Sequence, residues 1–201
     1  MQQRYQQVKQ ATLVGALANI ILAVVKVVFG WLGHSQALIA DGIHSFSDLL
    51  TDALVILAAK YGSHAADAEH PYGHARIETF ASLVLAMFLI LVGFGLGWQN
   101  IHHLLTSHEV SHPDIYVIWF ALFSVLVNEG IYRYTLRVGK KIKSDLLIAN
   151  ALHSRSDAAS SLVVLIGVIG CIAGYVYLDA IAAMIVAAMI VKMGWKIGWD
   201  N

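Results

Sequence analysis

Long apolar segments alternate with short polar stretches along the whole chain. A helix that crosses the hydrocarbon core of a bilayer needs about 20 predominantly apolar residues. Six segments meet this requirement, and they lie at about 11–32, 37–59, 79–104, 115–136, 145–173 and 176–197. The pattern therefore predicts an all-α membrane protein with six transmembrane helices, arranged as a single transmembrane domain over residues 1–201.

Apart from Lys26 and Arg155, the positive side chains lie in alternate connections between these segments or at the span ends that adjoin those connections. The connections around 33–36, 106–114 and 174–177 contain no Lys or Arg. The opposite set, which includes the stretches before the first span and after the sixth, carries Arg4, Lys9, Lys60, Arg76, Arg133, Arg137, Lys140, Lys141, Lys143, Lys192 and Lys196. Because cytoplasmic connections are enriched in Lys and Arg, we predict that both termini lie in the cytoplasm.

Composition supports a protein whose surface faces lipid. Hydrophobic residues make up 58% of the 201 residues and charged residues only 13%, whereas soluble domains carry roughly 25% charged residues. Mean hydropathy is +0.68. The formal net charge is zero, which gives no reason to expect a nucleic-acid partner. The lipid bilayer is the expected surrounding, and the few polar residues are informative by their positions.

Several charged residues lie inside the predicted spans, where each costs at least ~2.5–3.5 kcal/mol on insertion and usually marks function. The second span carries four titratable residues and the fifth carries three: Asp41, His44, Asp48, Asp52, His153, Arg155 and Asp157. We predict that Lys26, Arg155 and Glu129 are internal ion-pair partners and not metal ligands. The cationic side chains of Lys26 and Arg155 cannot bind a metal cation.

Two short runs in these spans share the pattern H-S-x-S-D: His44 to Asp48 and His153 to Asp157. Residues four apart lie on one helix face, so each pair can present a nitrogen and an oxygen to one point. Both pairs fall near mid-membrane on antiparallel spans. Two nitrogen and two oxygen ligands suit four-coordinate Zn²⁺, although Fe²⁺, Co²⁺, Cd²⁺ and Mn²⁺ stay open. Interhelical hydrogen bonds alone, or a proton relay without metal, are the alternatives.

Two further carboxylates flank the quartet on the second span. Asp41 lies about one turn before His44, and Asp52 lies one turn after Asp48. Either carboxylate could hydrogen-bond a ligating histidine and fix its tautomer, or could serve as a staging point along the ion path. Lining a polar cavity is the alternative role for both.

The six spans, the quartet and the loop Asp67-Ala-Glu-His70-Pro-Tyr-Gly-His74-Ala-Arg76 resemble the cation diffusion facilitator family of metal/proton antiporters. The resemblance covers essentially the whole chain. It implies that His44, Asp48, His153 and Asp157 form the transport site, and a first ligand of His is similar to Zn²⁺-preferring members. It also implies homodimers and, as in some members, a second metal site in the loop at Asp67, His70 and His74; a solvated loop cluster is the alternative.

Family members usually continue into a cytoplasmic metal-binding domain after the sixth span, and this sequence lacks it. From the resemblance and the ligand set we predict a secondary transporter, not an enzyme, in a bacterial-type inner (plasma) membrane. It would export Zn²⁺ or another divalent metal from the cytoplasm in exchange for protons by alternating access. One alternative is an intramembrane metalloenzyme, although four protein ligands leave no open coordination position. The other is a metal channel that needs no protons.

Overall fold

The computed structural model describes residues 2–62, 75–106 and 113–199. Within these ranges the chain forms six α-helices and no strand, so the predicted all-α fold is confirmed. The helices are α1 Gln2–Leu32, α2 Gln36–Gly62, α3 Ala75–Thr106, α4 Val117–Ile142, α5 Asp145–Ile172 and α6 Leu178–Trp199. Each predicted span lies on one helix, because a helix satisfies its backbone polar groups internally where water is scarce.

Two helices extend well beyond the predicted spans. Helix α1 begins at Gln2 and α4 continues to Ile142, through the basic residues that follow residue 136. Apolar character marks only the part of a helix suited to lipid. Arg, Lys and Gln have high helix propensity, so the helices continue past the apolar segments.

Within the described ranges, four helical segments are long and apolar enough to cross a membrane by length and composition alone: Gln10–Leu32, Ser82–His102, Leu147–Ile172 and Leu178–Trp199. Helices α2 and α4 are more polar. The buried face of α4 includes Ser124, Asn128 and Thr135, and that of α2 includes Asp41 and Asp48. These two helices direct polar side chains into the bundle, and they expose large hydrophobic side chains such as Phe46 and Trp119 on their outer faces.

Helix α2 is central in the bundle. It contacts α1, α3, α5 and α6, while the most extensive packing joins α4 with α5, α3 with α6 and α1 with α2. Backbones approach closely at a few glycines: a Cβ added at Gly42 would lie 2.9 Å from the Val27 nitrogen, and one added at Gly93 would lie 3.0 Å from the Ala187 carbonyl oxygen. Helix α2 thus has neighbours on several sides, and a polar group on it can be sealed from lipid.

The beginning of α2 is capped by a carboxylate from α6. Asp179 accepts a hydrogen bond from Ser35 Oγ at 2.7 Å and from the Gln36 and Ala37 backbone nitrogens at 2.8 and 3.3 Å. The first N–H groups of a helix have no partner within the helix. A carboxylate accepts hydrogen bonds from these groups, and its negative charge interacts favourably with the positive end of the helix dipole. Asp179 therefore fixes α2 to α6.

The bundle has two ends, which are named here by their turns. The α1–α2 end consists of residues 33–35, 113–116 and 173–177, and the Asp114 nitrogen donates to the Gly33 carbonyl at 3.0 Å there. Gly174 has φ +107°, in a region that favours glycine, and it allows the tight turn between α5 and α6. The α4–α5 end is formed by the turn at residues 143–144.

Candidate metal centre

Three of the four predicted ligands meet between α2 and α5. His44, Asp48 and Asp157 each offer one ligand atom, and these atoms lie within 4.8 Å of one another. Within the α2 motif, His44 Nε2 lies 3.8 Å from Asp48 Oδ2, and both side chains are about nine-tenths buried. The four-residue spacing thus places an imidazole and a carboxylate on one face, as predicted.

The fourth predicted ligand, His153, lies at the edge of this trio. Its Nε2 atom is 4.0 Å from Asp157 Oδ2, and its side chain is 43% exposed whereas that of Asp157 is 9% exposed. His153 precedes Asp157 on α5 and is therefore one turn closer to the α4–α5 end. The four predicted ligands lie next to one another in space. Three of them are buried, and His153 is on the accessible side.

The donor atoms suit a metal such as Zn²⁺. His44 Nδ1 is buried and has no hydrogen-bond partner among the described residues. Buried polar atoms normally have a partner, so this nitrogen is suited to bind a ligand such as a metal ion. Imidazole nitrogen and carboxylate oxygen are both ligands of Zn²⁺ in proteins.

Asp41 is held in a separate arrangement beside the trio. Lys26 Nζ lies 2.8 Å from Asp41 Oδ2, and neither side chain has any exposed surface. Ser160 Oγ donates to Asp41 Oδ1 at 3.0 Å and Ser161 Oγ donates to Oδ2 at 2.8 Å. The prediction that Lys26 is an internal ion-pair partner is confirmed, and both oxygens of Asp41 are engaged by neighbouring helices.

Small polar residues complete this arrangement, and the sequence reasoning missed them. Lys26 Nζ donates to Ser45 Oγ and to Ser161 Oγ, at 3.0 Å each. Asn128 on α4 donates to Ser161 Oγ at 3.4 Å. Ser160 and Ser161 lie one turn beyond Asp157, and that position relative to the motif is the signal that could have identified them.

Two other charged residues of the spans, Glu129 and Arg155, have partners on α4. Arg133 Nε is 2.6 Å from Glu129 Oε1, so Glu129 forms its ion pair within α4. The Arg155 guanidinium lies 5.1 Å from the centre of the Tyr132 ring and donates to the Tyr132 hydroxyl at 3.3 Å. Arg155 therefore makes a cation–π contact on the exposed side.

Part of the predicted chemistry falls outside the described residues. The side chain of Asp52 is not described, although position 52 belongs to α2. The loop that contains Asp67, His70 and His74 lies between the described ranges. A role for these four residues stays a prediction.

Comparison with known proteins assigns the chain to a family. Residues 12–201 match the family model of the cation efflux transmembrane domain. An uncharacterized transporter of Methanocaldococcus jannaschii is 38% identical over 97% of this chain and 69% of its own length. Metal tolerance protein 2 of Oryza sativa subsp. japonica is 35% identical over 93% of this chain and 54% of its own length.

A third relative, the manganese efflux system protein MneS of Bacillus subtilis, is 30% identical over 97% of this chain and 68% of its own length. The chain thus spans between 54% and 69% of the length of these three relatives. Both the family model and the relatives match almost the whole chain, including the two helices that carry the His-x-x-x-Asp pairs. The chain therefore belongs to the cation diffusion facilitator family of metal-ion transporters, and it corresponds to the transmembrane domain of that family.

Proposed function

We propose that this chain is the membrane unit of a secondary transporter, which exports a divalent metal ion from the cytoplasm in exchange for protons. The observation that carries the proposal is the buried cluster of His44, Asp48 and Asp157, with His153 at its edge. These residues come from two helices, so a relative movement of α2 and α5 would alter the site. A site of this kind is what alternating access requires.

The charges around the cluster support a divalent substrate. Lys26 neutralises Asp41, which leaves Asp48 and Asp157 as the carboxylates of the cluster. Buried charges must be compensated, and a divalent cation balances two carboxylates. Protons can do the same. Because ligating histidine must be neutral and ligating aspartate ionised, metal and protons compete for the site, and this competition is the basis of exchange.

The exposure of His153 supports binding from the α4–α5 end. That end carries Lys140, Lys141 and Lys143, and Lys-rich connections lie on the cytoplasmic side. We therefore place the α4–α5 end and both termini in the cytoplasm. In the present conformation a cytoplasmic ion would reach His153 first and the buried trio next.

We propose Zn²⁺ as the substrate, with Fe²⁺, Co²⁺, Cd²⁺ and Mn²⁺ as competitors. Two imidazoles and two carboxylates form a ligand set typical of Zn²⁺. Mn²⁺ is better suited by carboxylate, carbonyl and water ligands. One relative is named a manganese efflux system protein, so a direct competition experiment is needed.

The test is a metal-competition series on the full chain in proteoliposomes with an imposed pH gradient, for wild type and His44→Asp. We expect wild type to favour Zn²⁺. We expect Mn²⁺ to compete more strongly in His44→Asp, since a carboxylate oxygen replaces one nitrogen ligand. Ser124→Ala is the matched control, because Ser124 is a buried residue that bonds only the Phe120 carbonyl of its own helix among the described contacts. An unchanged competition profile in His44→Asp would assign selectivity to other residues, and flux without a pH requirement would indicate a channel.

Further features of the proposal rest on the family resemblance. We propose that the protein acts as a homodimer in a bacterial-type inner membrane. We also propose that Asp67, His70 and His74 bind a second metal ion in the loop between α2 and α3. An enzymatic role is not part of the proposal, since the relatives named above are transporters or metal tolerance and efflux proteins.

A further inference from the structure

A buried polar network lies between α1, α2 and α5, next to the metal centre. The Lys26–Asp41 ion pair is at its middle, with an Nζ–Oδ2 distance of 2.8 Å. Hydroxyl groups surround both charges at 2.8–3.0 Å. We refer to these side chains as the ion-pair network, which consists of Lys26, Asp41, Ser45, Ser160 and Ser161.

The network lies on the side of the metal centre that faces the α1–α2 end. Asp41 precedes His44 on α2, whereas Ser160 follows Asp157 on α5. Asp41 contacts Ser160, and His44 and Asp48 approach Asp157. The two helices are therefore antiparallel at this level. Asp41 and Ser160 both lie on the side of the metal centre that faces the α1–α2 end.

Side-chain exposure decreases from the α4–α5 side of the metal centre toward the ion-pair network. The His153 side chain, toward the α4–α5 end, is 43% exposed, and that of Asp157 is 9% exposed. Lys26 and Asp41, on the opposite side of the centre, are 0% exposed. The metal centre is thus accessible from the His153 side and covered on the other side by the ion-pair network.

The helix backbones also touch at the level of the network. A Cβ added at Gly42, next to Asp41, would lie 2.9 Å from the Val27 nitrogen and 3.0 Å from Lys26 Cβ. Helices α1 and α2 are therefore in backbone contact where the ion pair bridges them. Ser160 and Ser161 bring α5 to the same point.

We propose that the Lys26–Asp41 ion pair is the gate that closes the metal centre toward the α1–α2 end. For an ion to leave by that end, α1 must move away from α2, and this movement separates the ion pair. Lys26 and Asp41 act by positioning these helices and do not bind the ion. The inference goes beyond the proposed transport function, because it concerns access to the site and not the identity of the ion.

The chemistry of a buried ion pair determines how variants should behave. Removal of one partner leaves a buried charge without compensation, which is strongly unfavourable. When the α1–α2 end is open, water can hydrate the remaining charge. Lys26→Met or Asp41→Asn should therefore shift the protein toward opening at that end. The double variant Lys26→Met/Asp41→Asn removes both charges and should restore closure.

The experiment measures access to the metal centre directly. The sequence contains one cysteine, Cys171, so the full chain with Cys171→Ala and His44→Cys carries a single thiol at the centre. A neutral imidazole and a thiol carry the same charge, so the charge of the cluster is kept. A cationic, membrane-impermeant thiosulfonate reagent is applied from the α1–α2 side of sealed vesicles in the absence of metal.

We expect each single-charge variant to react at least about tenfold faster than the parent from this side, since loss of one buried charge partner shifts a two-state equilibrium by at least that factor. The double variant should react at close to the parent rate. Ser161→Ala, which removes one hydroxyl contact of Asp41 and keeps both charges, should give a smaller increase. Ser124→Ala, a buried serine outside the network, should have no effect.

His153→Cys, labelled from the opposite side, should react more slowly in the single-charge variants than in the parent, because alternating access closes the α4–α5 end when the α1–α2 end opens. Thermal unfolding of each purified variant provides the folding control. Parent-like rates from the α1–α2 side in the single variants and in Ser161→Ala would overturn the gate. A double variant as fast as the single variants would overturn the role of charge. If the single variants fail the folding control, the gate is tested by comparing the labelling rate of Ser161→Ala with that of Ser124→Ala. The reagent reports access and not flux, so failure of the transport proposal would be seen separately, in proteoliposomes.

Discussion

At the residue scale, the candidate metal centre is a cluster of buried side chains, with the half-exposed His153 at its edge. His44 and Asp157 come from different helices, and their ligand atoms lie within the same 4.8 Å cluster. Removal of either takes away one of the four proposed protein ligands, so a water would have to complete the coordination. The two substitutions therefore test the same site from its two sides.

We expect His44→Ala and Asp157→Ala to weaken Zn²⁺ binding by at least about a hundredfold, because even residues that only orient a ligand contribute 10–100-fold. Calorimetric titration of the purified protein with Zn²⁺ measures this effect. Proton-driven Zn²⁺ flux into proteoliposomes should be lost in parallel. Wild-type affinity should decrease as pH falls, because protons compete for the same ligand atoms.

Ser124→Ala is again the matched control, and thermal unfolding should show that the ligand variants remain folded. Undiminished binding and flux in both ligand variants would contradict the site. A loss of flux without a loss of affinity would instead place His44 and Asp157 in the ion path, without a ligand role.

The sequence predicted the members of this site that carry distinctive chemistry. Repeated His-x-x-x-Asp spacing identified the quartet, and a Lys inside an apolar span identified Lys26 as an ion-pair partner. The serines around Asp41 could not be predicted in the same way. Hydroxyl side chains are common on helix faces in membranes, and their partners here are more than 100 residues away in the chain.

At the element scale, the apolar segments located all six helices, but not their ends or their contacts. Helix α4 continues to Ile142 because charged residues extend a helix into water as readily as apolar ones extend it into lipid. The cap of α2 by Asp179 depends on a contact between residues 144 positions apart. Such a contact follows from the tertiary arrangement and has no local signal in the sequence.

Substitution of Asp179 tests this cap. Asp179→Ala removes the acceptor of Ser35 Oγ and of two backbone N–H groups at the start of α2. Loss of a helix N-cap costs about 0.5–2 kcal/mol, and we expect the upper part of this range because Asp179 is only 4% exposed. Thermal unfolding of the detergent-solubilised protein provides the measurement.

Ser144→Ala at the start of α5 is the matched comparison. Ser144 Oγ accepts from the Leu147 nitrogen at 3.5 Å, a long distance for a hydrogen bond, so this variant should lose less stability than Asp179→Ala. Equal effects of the two substitutions would show that the contact between α2 and α6 adds nothing to an ordinary cap.

At the scale of the whole molecule, the direction of transport depends on which end of the bundle faces the cytoplasm. The alternation of Lys and Arg between connections is a property of the whole sequence, and it is what supports our proposed orientation. The helices themselves are compatible with either orientation, because an inverted bundle has the same internal contacts. Orientation must therefore be measured in a membrane.

We expect a cysteine at each end to react from opposite sides of the membrane. In the Cys171→Ala background, Lys141→Cys near the α4–α5 end should react with an impermeant thiol reagent only in inverted vesicles. Tyr175→Cys, in the turn between α5 and α6, should react only in right-side-out vesicles; Tyr175 is 71% exposed. Each variant is the control for the other, since leaky vesicles would label both.

Reversed labelling would place the accessible side of His153 outside the cytoplasm. The same cluster of ligands would then load metal from the external side in this conformation, and export would need the opposite sequence of steps. The result also identifies the vesicle face that corresponds to the α1–α2 end. The gate experiment on Lys26 and Asp41 depends on that assignment, so the topology measurement should precede it.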